Sequence, residues 1–131
     1  MGELSAFARQ YTESLSTTLG STVCVTDHDQ IIAASGGGKK ELQDKYISRQ
    51  LEQALQGRGQ IAAQSGEKKY VKLTEEQMEE YSSQIIHPIL CEGDVIGSVI
   101  ILEKEKQKKL GETEQKMAAC AANFLGRQME Q

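Results

Sequence analysis

An α+β fold, with one antiparallel sheet flanked by helices, is predicted by three observations in this sequence of 131 residues. Ser83–Glu103 reads as two long apolar strands joined by the tight polar turn Glu92-Gly93-Asp94, and its β-branched content suits a pleated, buried surface. A shorter hairpin pattern occupies Thr22 to Ala34. Amphipathic helical patterns stand at both ends, so strands and helices are segregated along the chain rather than strictly alternating.

Taken in order, Leu4, Phe7, Ala8, Tyr11, Leu15 and Leu19 recur at three- and four-residue steps and predict a helix over Glu3–Leu19, stopped at Gly20. Thr22–Thr26 and Gln30–Ala34 predict two strands around the turn Asp27-His28-Asp29, and Gly36-Gly37-Gly38 ends that hairpin. The chain turns helical from Lys39, and a clearer helix follows with Ile47, Leu51, Ala54 and Leu55 on one face, closed by Gly57 and Gly59. Gln60–Gln64 and Lys69–Leu73 are weaker strand patterns. Thr74-Glu75-Glu76-Gln77 matches a capping box, which predicts a short helix over Glu75–Tyr81. In the long hairpin, Gly93 takes a positive φ at little steric cost. Gly97 marks a bulge or a close backbone approach, and Pro88 an edge, a strand start or a bulge. Glu103–Lys109 is a charged connector. The last helix runs from Glu112 to Met129, with Met117, Ala118, Ala121, Phe124, Leu125 and Met129 as its apolar stripe.

One domain is expected at this length, with charged residues at 26% and hydrophobic ones at 38%, as in soluble globular proteins. The net charge of −4 lacks the basic surplus of a free-standing nucleic-acid binder. No apolar run approaches the ~20 residues that cross a bilayer, and the N-terminus has neither the basic nor the apolar region of a secretory signal. Three widely spaced cysteines, Cys24, Cys91 and Cys120, fit reduced thiols in the cytoplasm.

Several residues offer chemistry, each against a plainer reading. Ser35-Gly36-Gly37-Gly38-Lys39-Lys40 can cradle a phosphate through backbone N–H groups, with Ser35, Gly36 and Lys39 as its contacts, or can be a loop followed by solvated lysines; it lacks the Walker spacing. His28 sits in a turn and reads as exposed. His87 lies beside Pro88 as a core histidine or a pocket wall, and neither histidine has a carboxylate or cysteine at zinc-ligand spacing. Of the cysteines, Cys24 falls in a buried strand and Cys120 on the stripe side of a helix, which leaves Cys91 as the reachable thiol. Lys104–Lys109 reads as solvated because glutamate interrupts it and aromatics are missing.

The pattern apolar–Pro88–Ile89, Gly93, Ile96–Gly97 resembles the hairpin of GAF domains, small sensor modules of the PAS-like kind. Val25–Lys40 and Ala121–Gln131 are further similar to the sensor half of the stage V sporulation protein T family. That resemblance implies a GAF/PAS-like central antiparallel sheet with flanking helices, the N- and C-terminal helices packed together, in a single domain over residues 1–131. It also implies a regulatory and dimerisation domain of a sporulation transcription regulator of forespore genes, which touches DNA only through an AbrB-type N-terminal half that this chain lacks. No catalytic residue, metal or cofactor is implied, and a small-molecule effector is unidentified. In the GAF fold a ligand sits between the sheet and the helices of one face. Ser35, Tyr46, Tyr81, Ser83 and His87 are the residues that can turn polar groups into such a cavity, and a filled core is the alternative. A homodimer through the terminal helices would use Leu4, Phe7, Tyr11, Leu15, Phe124, Leu125 and Gln128; the alternative is that both stripes only cover the sheet. Two rival readings are a thiol enzyme of the free methionine sulfoxide reductase kind, whose cysteine spacing is not reproduced here, and an oligomerisation scaffold without a ligand.

Overall fold

The computed structural model describes residues 2–77 and 80–130. Among them the chain forms α1 (Gly2–Leu19), β1 (Thr22–Thr26), β2 (Ile31–Ser35), α2 (Lys39–Leu42), α3 (Arg49–Leu55), β3 (Ile61–Gln64), β4 (Ser83–Cys91), β5 (Asp94–Glu103) and α4 (Glu112–Gln128). The strands make one antiparallel sheet in the order β2-β1-β5-β4-β3. The long hairpin therefore lies at the centre, and the shorter strands flank it.

Period-two alternation sends side chains to both faces, and both are covered. Val23, Val25, Ile85, Ile89, Val99 and Ile101 meet α1 and α4. Cys24, Ile86, Ile100 and Leu102 meet α2, α3 and the segment that carries Val71, Leu73 and Tyr81. Helix α1 buries Leu4, Ala8, Thr12 and Leu15. Helix α4 buries Ala118, Ala121, Ala122 and Leu125, and its small residues let it approach the sheet closely. Its last turn lies against the Leu90 carbonyl at Gly126. At the other end of α1, the Lys108 ammonium donates to the Leu19 carbonyl at 3.3 Å and the Gly20 carbonyl at 3.5 Å, so the charged connector caps a helix C-terminus.

The turn of the long hairpin has both central residues in the left-handed region, Glu92 at φ 51° and Gly93 at φ 89°, the geometry that matches strand twist. Gly97 is a close approach. A Cβ there would overlap the Thr26 carbonyl oxygen. The register of β4 and β5 slips between Ile89 and Leu90, opposite Gly97 and Val95, which leaves Ile96 as the extra residue of a bulge. Pro88 stands one residue before that slip, on a stretch of β4 that β3 no longer flanks, since β3 pairs only with Ser83–Ile86. The outer edge of β2 is closed by Gln43, whose Oε1 accepts from the Ala34 N–H at 2.9 Å and whose Nε2 donates to the Ile32 carbonyl at 3.1 Å.

Two predicted elements differ. Lys69–Leu73 is not a strand: among the described residues no strand pairs with it, and side chains hold much of its backbone instead, beside backbone bonds to Glu67 and Ser48. The predicted helix over Glu75–Tyr81 falls partly on Met78 and Glu79, outside the described residues; before them, Thr74–Glu76 makes a turn. The Gln77 side chain reaches past Thr74 to accept from the Leu73 N–H at 2.9 Å.

Candidate functional site

The predicted ligand residues are spread over both sheet faces. Tyr81 is fully buried beside α2, its hydroxyl donating to Glu41 Oε2 at 3.2 Å and lying against Gly38. The Lys104 ammonium stands 5.6 Å from the Tyr81 ring centroid, a cation–π contact. A bend at Ser82 resets the alternation, so Ser83 and His87 share the opposite face with Ile85 and Ile89, toward α4. The Ser83 hydroxyl is buried without a protein partner, as is Glu41 Oε1. His87 Nδ1 meets Gln60 Nε2 at 2.9 Å, and the same amide donates to the Gln115 carbonyl at 2.8 Å; burial lowers the His87 pKa. Tyr46 is 72% exposed and pairs with Gln30 at the end of the first hairpin.

The glycine loop offers little to a phosphate. The Gly38 N–H donates to Thr22 Oγ1 at 3.0 Å and the Lys39 N–H to the Gly36 carbonyl at 3.2 Å, so both are spent inside the fold. Ser35 and Lys39 do come together, in a cleft of about 410 Å³ against α1, where the Ser35 hydroxyl donates to Thr12 Oγ1 at 3.2 Å. Gly36 lines a different cleft, near the end of β5.

A cleft of about 390 Å³ that sequence reasoning missed opens between the β1–β2 turn and α3. Its apolar floor is Ile47, Leu55 and Val95, and its rim carries His28, Glu52 and Arg58. The exposed turn histidine thus borders a concave surface, and Gly97, flagged as a close approach, lies in its wall. A bare glycine facing a polar turn was the signal available.

The terminal-helix residues divide by depth. Leu4, Leu15 and Leu125 are buried within this chain, between the helices and the sheet. Phe7, Tyr11 and Phe124 form a cluster across the α1–α4 seam: Phe7 and Phe124 meet edge-on at 6.3 Å between centroids, and Tyr11 and Phe124 lie at 5.0 Å. Phe124 is 37% exposed, and Gln128 is exposed. Burial first, then the neighbouring Cys120, raises the Tyr11 pKa.

Cys120 is exposed rather than on the buried stripe, and Cys91, expected to be the reachable thiol, is half-buried. Burial pushes the Cys24 thiol up to about 12, and Cys91 is raised by burial and then by Glu92, Glu130 and Asp94. A thiolate is disfavoured at both. Among the described residues, no helix is long and apolar enough to cross a membrane.

The family model for stage V sporulation protein T C-terminal, transcription factor, matches residues 3–130. Stage V sporulation protein T of Bacillus subtilis (strain 168) is 38% identical over 131 residues, an alignment that takes in 100% of this chain and 71% of that protein. Among solved structures, the GAF domain of an Acinetobacter phosphoenolpyruvate-protein phosphotransferase superposes with a TM-score of 0.76 at 12% identity, over 95% of this chain and 80% of that one. The cofactor binding GAF domain of the nutrient sensor CodY from Clostridium difficile gives 0.71 at 16%, over 92% and 83%. A type II free methionine-R-sulfoxide reductase from Thermoplasma acidophilum gives 0.71 at 15%, over 95% and 93%. At such identities the likeness to these structures is one of fold, and the sequence match carries the family: this chain belongs to the stage V sporulation protein T C-terminal family and is a GAF-fold regulatory domain.

Proposed function

We propose that this domain pairs two copies of a sporulation transcription regulator, acting on forespore genes in the cytoplasm, and adjusts that pairing to a small-molecule effector. The observation that carries the reading is the aromatic seam of Phe7, Tyr11 and Phe124, which leaves a large ring at the surface where two helices meet. Aromatic residues are enriched where proteins associate. Two such helix pairs related by a two-fold axis make a four-helix bundle, with Gln128 at its rim. Pairing holds two DNA-reading parts at high effective concentration, and a net charge of −4 supports DNA contact elsewhere than this domain. The cleft beside α3, with an apolar floor and a rim of both charge signs, is the proposed effector site. An effector shifts the pairing only by binding one arrangement better than the other.

Native mass spectrometry of the domain, expressed in an endospore-forming host and purified gently, tests this. A dimer carrying a discrete extra mass that denaturation removes is the expected result. A dimer at bare mass, unchanged when small-molecule extract of the host is added back, leaves a pairing scaffold without sensing. A bare monomer overturns the bundle.

A further inference from the structure

Ser83 begins β4 on the α4 face of the sheet, with Gln64 of β3 opposite it on one side and Glu103 of β5 on the other. Farther along the same face stand Ile85, Ile89, Val99 and Ile101, so this row is where the face turns polar. Its neighbours are committed. Glu103 Oε1 accepts from the Ser21 hydroxyl at 3.0 Å, and Oε2 accepts from the Glu105 N–H at 3.1 Å. The Ser82 hydroxyl is shared between the Glu103 and Glu105 carbonyls, at 2.8 Å and 3.0 Å. The Ser83 hydroxyl is different. It belongs to a residue only 4% exposed and has no partner among the described residues. Folded proteins rarely leave a buried hydroxyl so, because its lost hydration is then not replaced.

Ser83 lines a cleft of about 260 Å³ between the β3–β4 edge and the start of α4. That is far more than the ~10–15 Å³ that admits a single water. Gln64 and Gln115 line it as well. Its charged residues, among those described, are Glu67 and Lys69, one of each sign. Glu67 is anchored there, since its Oε1 accepts the Gln64 N–H at 2.6 Å. Apolar surface comes from Ala62, Ala63 and Leu110. We propose that this cleft binds a small zwitterion, an α-amino acid with a short polar side chain. A carboxylate there has the Lys69 ammonium and the Ser83 hydroxyl as donors, and an ammonium has the Glu67 carboxylate as acceptor. A phosphate would face Glu67 and a simple amine Lys69, each a like-charge contact. A long aliphatic side chain would find two alanines and one leucine. Gln115 also ties the cleft to α4: its carbonyl accepts from Gln60 Nε2, which meets His87 Nδ1, so a ligand here touches the point where that helix is fastened to the sheet. The cleft shares no lining residue with the one beside α3, so either site can fail without the other.

NMR titration of the isotope-labelled full chain with glycine, L-serine and L-asparagine tests this, at up to ~10 mM, which fills a site of millimolar Kd. At least one of them is expected to shift the amide resonances of Ser83, Leu110 and Gln115 saturably, while those of Leu55 and Val95 stay in place. For that amino acid, the amine without its carboxylate and the acid without its ammonium are expected to bind at least ~tenfold more weakly. Ser83→Ala and Lys69→Met are each expected to weaken binding ~tenfold. Lys69 is exposed, so its loss leaves the core intact and keeps the test open should Ser83→Ala fold poorly. No saturable shift from any of the three overturns the proposal. So does a response that glycerol reproduces, or one that survives Lys69→Met undiminished. These readings depend on neither the oligomer nor any co-purified mass, so failure here is distinct from failure of the proposed function.

Discussion

Gln84 holds both backbone polar groups of Val71, thirteen positions away, through a single side-chain amide. Both partners are buried, at 1% and 4% exposure. The arrangement reproduces one rung of a sheet with a side chain in place of a strand. Truncating Gln84→Ala leaves a donor and an acceptor without partners in the interior. A loss of about 3 kcal/mol in urea unfolding is expected; a loss under ~1 kcal/mol would mean that water takes over both bonds.

Gly97 is the second sensitive point. The Thr26 carbonyl oxygen occupies the place of its missing Cβ, and the neighbour is backbone that no rotamer change can move. Gly97→Ala has to push β1 away from β5, at an expected cost of about 3 kcal/mol by thermal or urea denaturation. Gly37→Ala meets nothing within 4 Å and serves as the tolerated control.

The third prediction concerns acid. Burial lowers the folded His87 pKa below the ordinary 6.5. Above 6.5 the group is neutral in both states and contributes no pH dependence. As pH falls through 6.5 the unfolded chain takes up the proton first, so stability declines until the folded pKa is passed and both states are protonated. His87→Gln is expected to abolish this part of the slope in denaturation curves recorded between about pH 7 and 5. An unchanged slope would place the acid sensitivity elsewhere.

At the helix seam, Phe124→Asp replaces the exposed ring of the aromatic cluster with a charge and leaves Leu125 buried beneath. The proposed dimer is expected to weaken at least ~tenfold by sedimentation, with the monomer fold retained in its circular dichroism. A monomer that unfolds would mean that the cluster serves the core alone.

The sheet and the terminal helices were legible because their patterns are local: β-branched alternation in Ser83–Glu103, and stripes at three- and four-residue steps in α1 and α4. The bulge and close approach at Pro88 and Gly97 were legible because those residues have few uses inside a strand. Lys69–Leu73 misled because its partners are glutamines far along the chain, and a glutamine in a strand looks like a solvent-facing residue. The candidate pocket scattered because the bend at Ser82 changes which face each side chain meets, so Tyr81 and Ser83 part company. The cleft beside α3 was invisible for a related reason: its rim joins Asp27, Glu52 and Arg58, which no short spacing connects.

Gln43 closes the outer edge of β2 as Gln50 and Gln84 close the sides of Tyr70–Leu73. An edge satisfied by its own side chain offers no row of free amides for a stray strand to continue. A partly unfolded neighbour would therefore find little to template fibril growth along the outer edge of β2. Under the proposed pairing, self-association would run through helix faces instead, where the contact has a finite geometry.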